Sequence, residues 1–421
     1  MLLAGFLKSL VRMGCLNVID ATGRVHRFQG QQKGRDSPGG PEITIRLHDR
    51  ALHWKLFLNP MLHTGEAVMD GTLTVEDGSL YDFLDLIARN IGWRQPEHWL
   101  QRHLITPLRE AGRGWRQYNP ATRARSNVTR HYDLTGALYD LFLDSDRQYS
   151  CAYFQDPGDD LETAQLAKKR HLAAKLRLQP GQRVLDIGSG WGGMGLHLAR
   201  ENHVMVHGVT LSGEQHKASN QRADEAGLSG FVTFDLRDYR AVEGPFDRII
   251  SVGMFEHVGV GHYGEFFDKV RDLLTDDGIA VLHTIGRADG PGATNPWINK
   301  YIFPGGYSPS LSEISAAIES ADMYITDVEV FRLQYAETLR HWRQRFNANR
   351  QMVLELFDEK FYRMWDFYLC GSEVAFRHGG HVVFQVQLTK RPDTVPETRD
   401  YILEDERRHV RPTKKSDSRA A

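Results

Sequence analysis

The stretch Val184-Leu185-Asp186-Ile187-Gly188-Ser189-Gly190-Trp191-Gly192-Gly193 decides how the chain is read. Val184–Ile187 is an apolar run broken by one acid, as in a buried strand. It enters Gly188-x-Gly190-x-x-Gly193, and Met194–Arg200 follows with helical character. Glycines there let the backbone turn tightly and approach a ligand, and the helix N-terminus offers free amides. Dinucleotide enzymes share this pattern, but two neighbours point away from NAD. Asp186 stands two residues before Gly188, where an acid suits the ammonium of an amino-acid-bearing cofactor. The next strand ends Gly208-Val209-Thr210-Leu211-Ser212, without the ribose-binding acid expected about 20 residues on. Thr210 and Gln215 suit neutral contacts to a ribose edge, and Asp238, beyond the following strand, is placed for an adenine amino group. S-adenosylmethionine fits these residues better than a dinucleotide.

Outward from this turn, helix and strand alternate. Helices are expected at Leu166–Leu178, Gln215–Ala226 and Gly264–Leu274, and strands at Val204–Val209, Val232–Asp235, Phe246–Val252 and Ile279–Ile285. Two late strands, Tyr324–Phe331 and His381–Thr389, flank a long helical stretch, Ala336–Leu369. Repeated β-α units imply an α/β fold with a doubly wound, mostly parallel sheet. The first ~110 residues read as a smaller α+β domain. There Glu42–Leu47, Leu52–Leu58 and Leu73–Glu76 read as strands, with a helical period over Leu80, Phe83, Leu84, Ile87 and Ile91. Met1–Met13 reads as a short amphipathic helix. The expected division is 1–113, 114–392 and a polar, disordered tail over 393–421.

Composition removes other classes. The chain has 421 residues, 41% hydrophobic and 25% charged, with net charge -2; that excludes global disorder and binding governed by bulk charge. No apolar run approaches the ~20 residues needed to cross a bilayer. The three cysteines, Cys15, Cys151 and Cys370, include no CxxC, so a reducing cytoplasm fits better than a disulfide framework. His257 and His262 beside Glu256 lack further ligands at metal-site spacing, and no metal is expected. Arg89–Arg130 holds nine arginines against two acids, with Trp93, Trp99 and Trp115 interleaved. Such a stretch suits an anionic phospholipid surface, at ~1 kcal/mol per basic residue, or is a solvated linker. Single-stranded nucleic acid ranks below both.

The chain resembles the cyclopropane-fatty-acid-phospholipid synthases and the related mycolic-acid cyclopropane synthases and fatty-acid methyltransferases. The resemblance rests on Arg130-His131-Tyr132-Asp133, Tyr149-Ser150-Cys151-Ala152-Tyr153-Phe154, the glycine turn, and Gly208 to Gln215. It continues through Gly253-Met254-Phe255-Glu256-His257-Val258-Gly259, His283-Thr284-Ile285-Gly286, Tyr301 to Gly306 and Tyr335-Ala336-Glu337-Thr338-Leu339. It implies a class I methyltransferase-like sheet with an antiparallel late strand, and the N-terminal domain implies an intact phospholipid as substrate. By resemblance, Tyr149 and Ser150 close over the cofactor, Gly188, Ser189 and Gly190 cradle its methionine part, and Thr210, Leu211 and Gln215 line its ribose. The family's bound bicarbonate ion falls to Cys151, Glu256, His283, Ile285 (through its backbone) and Tyr335. The implied protein is a homodimer on the inner face of the membrane.

The chemistry accounts for these groups. An isolated alkene is a weak nucleophile, so alignment with a sulfonium methyl has to supply ~7–11 kcal/mol. Methyl transfer leaves a carbocation, and ring closure requires a base. His283 and Tyr335 would position that base and Glu256 order its proton, while aromatic faces stabilise the cation. Tyr153, Phe154, Phe255, Tyr301, Phe303, Tyr307, Tyr335 and Tyr368 are the candidates. In Tyr368-Leu369-Cys370-Gly371-Ser372 the family's late cysteine is replaced by Ser372 and is read as dispensable. The alternatives are a fatty-acid C-methyltransferase and a non-catalytic lipid-binding protein.

Overall fold

A computed structural model describes residues 2–30, 42–92 and 136–409. Most of the basic Arg89–Arg130 stretch, the boundary at 113 and the motif Arg130–Asp133 lie outside the described residues. The N-terminal unit opens with helix α1 (Leu2–Leu10), whose Leu3 and Leu10 are buried. Strands β1 (Cys15–Ile19), β2 (Val25–Gln29), β3 (Glu42–Leu47) and β4 (Leu73–Asp77) form one sheet in the order β2-β1-β3-β4. Only the β1–β3 pair is parallel. Helices α2 (Leu52–Leu58), α3 (Pro60–Met69) and α4 (Leu80–Ile91) accompany the sheet. Ser79 and Asp82 close a reciprocal cap at the start of α4, which satisfies two otherwise free amides.

Leu52–Leu58 corrects the sequence reading. It is helical, with Leu52, Leu56 and Phe57 buried, a spacing of four and five residues. A seven-residue apolar run does not distinguish strand from helix by period alone, and Asp49 Oδ1, accepting from Ala51 N at 2.9 Å, steers the chain into the helix.

The second unit follows α5 (Gly136–Asp140) and α6 (Leu161–Leu176). Its parallel strands are β5 (Arg183–Ile187), β6 (Met205–Thr210), β7 (Val232–Leu236), β8 (Phe246–Val252) and β9 (Leu274–Arg287). Helices α7 (Gly193–Asn202), α8 (Gly213–Glu225) and α9 (Tyr263–Leu273) connect them. Two further helices, α10 (Pro296–Tyr301) and α11 (Leu311–Ser320), lead to strand β10 (Tyr324–Phe331). After helices α12 (Gln334–Ala348), α13 (Arg350–Leu356) and α14 (Glu359–His378), strand β11 (His381–Thr389) completes the sheet. Its order is β10-β11-β9-β8-β5-β6-β7, with β11 antiparallel to both neighbours. The chain crosses from β5 to β6 on one side and reaches β8 on the other. Open α/β sheets hold ligands at such a reversal of strand order.

The helical stretch expected over Ala336–Leu369 is broken twice. Asn349 leaves helical geometry as its Nδ2 donates to Leu141 O at 2.8 Å. Asp358 then caps α14 by accepting from Phe361 N at 2.7 Å. The tail is also more ordered than its polarity suggests. Helix α15 (Asp400–His409) packs on α6, with Ile402 buried and Glu406 Oε1 2.6 Å from His171 Nδ1. Buried apolar residues and ion pairs of the tail supply what average composition conceals.

Candidate active site

The glycine turn is built for close approach. Gly188 has φ +82°, and a Cβ there would meet the Met254 side chain at 2.6 Å. A Cβ on Gly193 would collide with the Gln148 side chain, so the third glycine admits the segment 144–151 over the start of α7. That segment is tied down from several elements. Gln165 Nε2 donates to Ser150 O at 3.0 Å and to Gln148 O at 3.2 Å. Asp146 pairs with Lys169 at 2.5 Å and with Arg222, which also reaches Trp191 O at 2.6 Å.

Between this segment and the C-terminal ends of β5, β6 and β8 lies a pocket of 150 Å³. Tyr149, Ser150, Asp186, Gly188, Ser189, Gly190, Thr210, Leu211, Gln215 and Asp238 all line it. Asp186 Oδ2 and Ser189 Oγ are buried there without hydrogen-bond partners among the described residues. Burial pushes the Asp186 pKa to about 7, and Lys168 opposes the rise. A buried acid without a donor fits an ammonium, which would restore its charge. Thr210 and Gln215 instead bond each other, Oγ1 to Oε1 at 2.9 Å. Asp238 is engaged by the Arg240 guanidinium at 2.7 and 2.9 Å, which holds its carboxyl below the usual range against the effect of burial.

A second cavity of 1560 Å³ adjoins the first. Cys151, Glu256, His283, Ile285 and Tyr335 all line it, and Tyr149, Ser150, Gly253 and His257 line both. It extends into the N-terminal unit along Leu3, Leu7, Leu16, Ile45 and Phe83. Ligand pockets of about 300–1,000 Å³ hold drug-sized molecules; this volume suits something longer and apolar.

Polar groups line the second cavity beside the residues it shares with the first. The Ile285 N–H donates to Glu256 Oε1 at 2.6 Å, while Glu256 Oε2 is buried without a hydrogen-bond partner among the described residues. Ile285 was expected to offer its backbone to an anion; Glu256 already takes that N–H. Burial raises the Glu256 pKa, opposed by the Ile285 hydrogen bond. His283 faces Gln385 across the β9–β11 register, with Gln385 Nε2 3.1 Å from His283 Nδ1. The amide donates, so the imidazole proton sits on Nε2. Burial, then Lys168, keeps this ring uncharged. Cys151 Sγ lies 3.3 Å from Ala152 O, and burial raises its pKa well above the usual thiol value; it is a poor nucleophile.

The aromatic candidates divide. Phe303, Tyr307, Tyr335 and Tyr368 line the cavity. Tyr149 joins them, its hydroxyl 2.8 Å from that of Tyr368 and its ring stacked on Trp342. Phe255 packs in the core against Tyr263, Tyr153 stacks on Phe331, and Phe154 stacks on His341. Sequence reasoning missed Lys168, His257 and Gln385 at this site. His257 was weighed only as a metal ligand; its burial and a pKa near 4 make it a neutral wall group. Among the described residues no set of three or more metal-ligating side chains converges.

Comparison with known proteins agrees with this arrangement. Residues 119–386 match the family described as mycolic acid cyclopropane synthetase. The cyclopropane-fatty-acyl-phospholipid synthase of Escherichia coli is 38% identical over 354 residues, covering 84% of this chain and 89% of that protein. A probable fatty acid methyltransferase of Pseudomonas putida is 37% identical over 358 residues, 83% of this chain and 88% of its own. The crystal structure of mycolic acid cyclopropane synthase CmaA1 complexed with SAH and CTAB superposes with a TM-score of 0.60 at 33% identity. It covers 65% of this chain and 99% of that one.

Proposed function

The chain belongs to the mycolic acid cyclopropane synthetase family, and on that premise we propose that it adds a methylene group from S-adenosylmethionine across the cis double bond of an unsaturated phospholipid acyl chain. One observation carries the reading: a large, mostly apolar cavity shares Tyr149, Ser150, Gly253 and His257 with the glycine-turn pocket. Bound there, S-adenosylmethionine supplies an electrophilic methyl carbon on sulfur, and a bicarbonate ion supplies a base for the hydrogen lost at ring closure.

The chain's own groups do the rest. Asp186 receives the cofactor's ammonium, Gly188, Ser189 and Gly190 its methionine part, and Thr210, Leu211 and Gln215 its ribose. The cavity wall holds the alkene in line and excludes water; alignment of this kind is worth ~7–11 kcal/mol. The His283 Nε2–H and the Tyr335 hydroxyl donate to the anion. Glu256, whose carboxyl is pushed up by burial, shares a proton with it through Oε2, since two bare anions would repel. The rings of Tyr149, Tyr335 and Tyr368 stabilise positive charge on the lipid by ~0.5–2 kcal/mol each.

The cavity's continuation into the N-terminal unit supports an intact phospholipid over a carrier-bound acyl chain. No described helix is long and apolar enough to cross a membrane. The proposal also includes peripheral attachment at the inner membrane face, supported by exposed Trp54 (60%) and Leu58 (55%) on α2, where tryptophan favours the interface. A homodimer is included on the family resemblance alone, as is the division into domains near residue 113.

The test is mass spectrometry of lipids from cells expressing the chain. Cyclopropanation adds the mass of one methylene and removes the double bond. The Pseudomonas putida relative favours a second reading, C-methylation, in which the same mass is gained and unsaturation persists. No gain in mass refutes both.

A further inference from the structure

Beneath Ser150, where the two cavities meet, lies an ammonium that the mechanism above leaves unused. Lys168 on α6 is 0% exposed. Its Nζ donates to Gln148 Oε1 at 2.7 Å and to Ser150 Oγ at 2.9 Å. Three basic neighbours on its helix meet carboxylates: Lys169 reaches Asp146, Lys175 reaches Glu329, and His171 reaches Glu329 and Glu406. Among the described residues Lys168 forms no such ion pair. A buried charge is costly unless something of opposite sign completes it.

The direction of the hydrogen bonds carries the next step. An ammonium only donates, so Ser150 Oγ accepts and its own proton points away from Lys168. Ser150 lines both cavities. We propose that Lys168 is a positioning residue for a planar oxyanion at the junction: it turns the Ser150 hydroxyl outward as a donor, and its charge is balanced by the oxyanion that this hydroxyl meets. Two sources share that chemistry, the carboxylate of the cofactor's amino-acid end and a bicarbonate ion. The inference rests on the functional reading above, which brings both.

A pH dependence accompanies it. Burial lowers the Lys168 pKa to about 8, partly offset by Asp144. The charged or titratable groups facing it are Asp144, Asp146 and Cys151 on the covering segment, Asp186 on β5, Lys169 on its own helix and His283 on β9. Above about pH 8 the ammonium loses its proton, and the oxyanion loses its counter-charge.

The experiment titrates S-adenosylhomocysteine calorimetrically into the full chain, then sodium bicarbonate into the loaded protein, on both sides of pH 8. Wild type, Lys168→Met, Lys168→Arg and Ser150→Ala are compared. Below pH 8, Lys168→Met weakens one of the two ligands by about tenfold or more, as expected for a charge-assisted hydrogen bond. Weaker S-adenosylhomocysteine identifies the cofactor's carboxylate; weaker bicarbonate alone identifies the ion. Wild type shows the same loss on crossing pH 8, and Lys168→Arg, which stays charged, does not. A folded Lys168→Met with wild-type affinity for both ligands overturns the proposal. Should Lys168→Met fail to fold, Ser150→Ala decides: it abolishes the step at pH 8, and a persisting step refutes the proposal. Absence of lipid product from wild type would refute the proposed reaction and leave these titrations decisive.

Discussion

Replacing Glu256 by glutamine alters one proton and little else. In the native chain Oε1 accepts the Ile285 N–H at 2.6 Å, and Oε2 is buried without a partner among the described residues. Glutamine keeps the shape, its carbonyl retains the Ile285 bond, and its amide nitrogen replaces Oε2. The fold loses the difference between a charge-assisted and a neutral hydrogen bond, about 1 kcal/mol, offset by removal of a buried acid. The chemistry loses more, because an amide neither shares nor returns a proton. A positioned acid or base contributes about 10²–10⁴-fold, which at 1.36 kcal/mol per decade is about 3–5 kcal/mol on the barrier. Labelled-methyl transfer from S-adenosylmethionine to unsaturated phospholipid vesicles should therefore slow by that factor. The Kd for S-adenosylhomocysteine should stay within about threefold, ~0.6 kcal/mol. A variant whose turnover matches wild type at saturating bicarbonate removes Glu256 from the chemistry. An equal loss in cofactor affinity would show that the substitution disturbs the pocket instead.

Gln385→Leu removes the donor to His283 Nδ1 at 3.1 Å and frees the ring to hold its proton on the wrong nitrogen. Turnover should fall by about tenfold, and nitrogen NMR of labelled histidine should show a tautomer mixture. Trp297 is 1% exposed, donates from Nε1 to Met69 Sδ at 3.2 Å and packs on Phe367. Trp297→Ala should cost about 3–5 kcal/mol in chemical denaturation; a loss below 1 kcal/mol would mean that this contact does not hold α10 against α3. All three cysteines are buried and their thiol pKa values raised, by burial first, so thiol reagents should label the native protein slowly and leave activity intact. Burial disfavours the charged form of His171, yet hydrogen bonds to Glu329 and Glu406 raise its pKa overall. The stability it lends to α15 is thus fully present below about pH 6.5 and is lost as pH rises through the raised value. Hydrogen-exchange protection of α15 should fall over that window, and a flat profile would remove His171 as its anchor.

What the sequence discloses depends on how far apart the interacting residues are. The strand–glycine–helix unit around Gly188 is local, and all its expected pocket residues line one pocket. Late strands Tyr324–Phe331 and His381–Thr389 are found at their expected ends, each a run rich in β-branched and aromatic residues. Leu52–Leu58 misled because its period is ambiguous, and α15 because its docking depends on His171, far off in sequence. Lys168 and Gln385 stayed hidden for the same reason. A lysine on a helix reads as solvent-facing, and only the covering segment, met through Gln148 and Ser150, shows that this one is buried.

Helix α14 explains how a sheet built for a polar cofactor reaches an apolar chain. Its Tyr368 and Ser372 line the large cavity, while Cys370 belongs to the core of the N-terminal unit. Two residues on a helix are about 200° apart, so Cys370 and Ser372 face opposite ways. Cys370 Sγ lies 3.7 Å from Asp366 Oδ1, and Cys370 is not among the cavity-lining residues. Ser372, the position that the resemblance matched to a late cysteine, is therefore a cavity-wall serine. On the proposed mechanism, proton removal by a bound anion calls on His283, Tyr335 and Glu256 and has no use for a thiolate. The same helix also packs on α3 and α4. The N-terminal unit and the lipid cavity thus share one structural member, and a shift of that unit would move Tyr368 against Tyr149 at the opening between the two cavities.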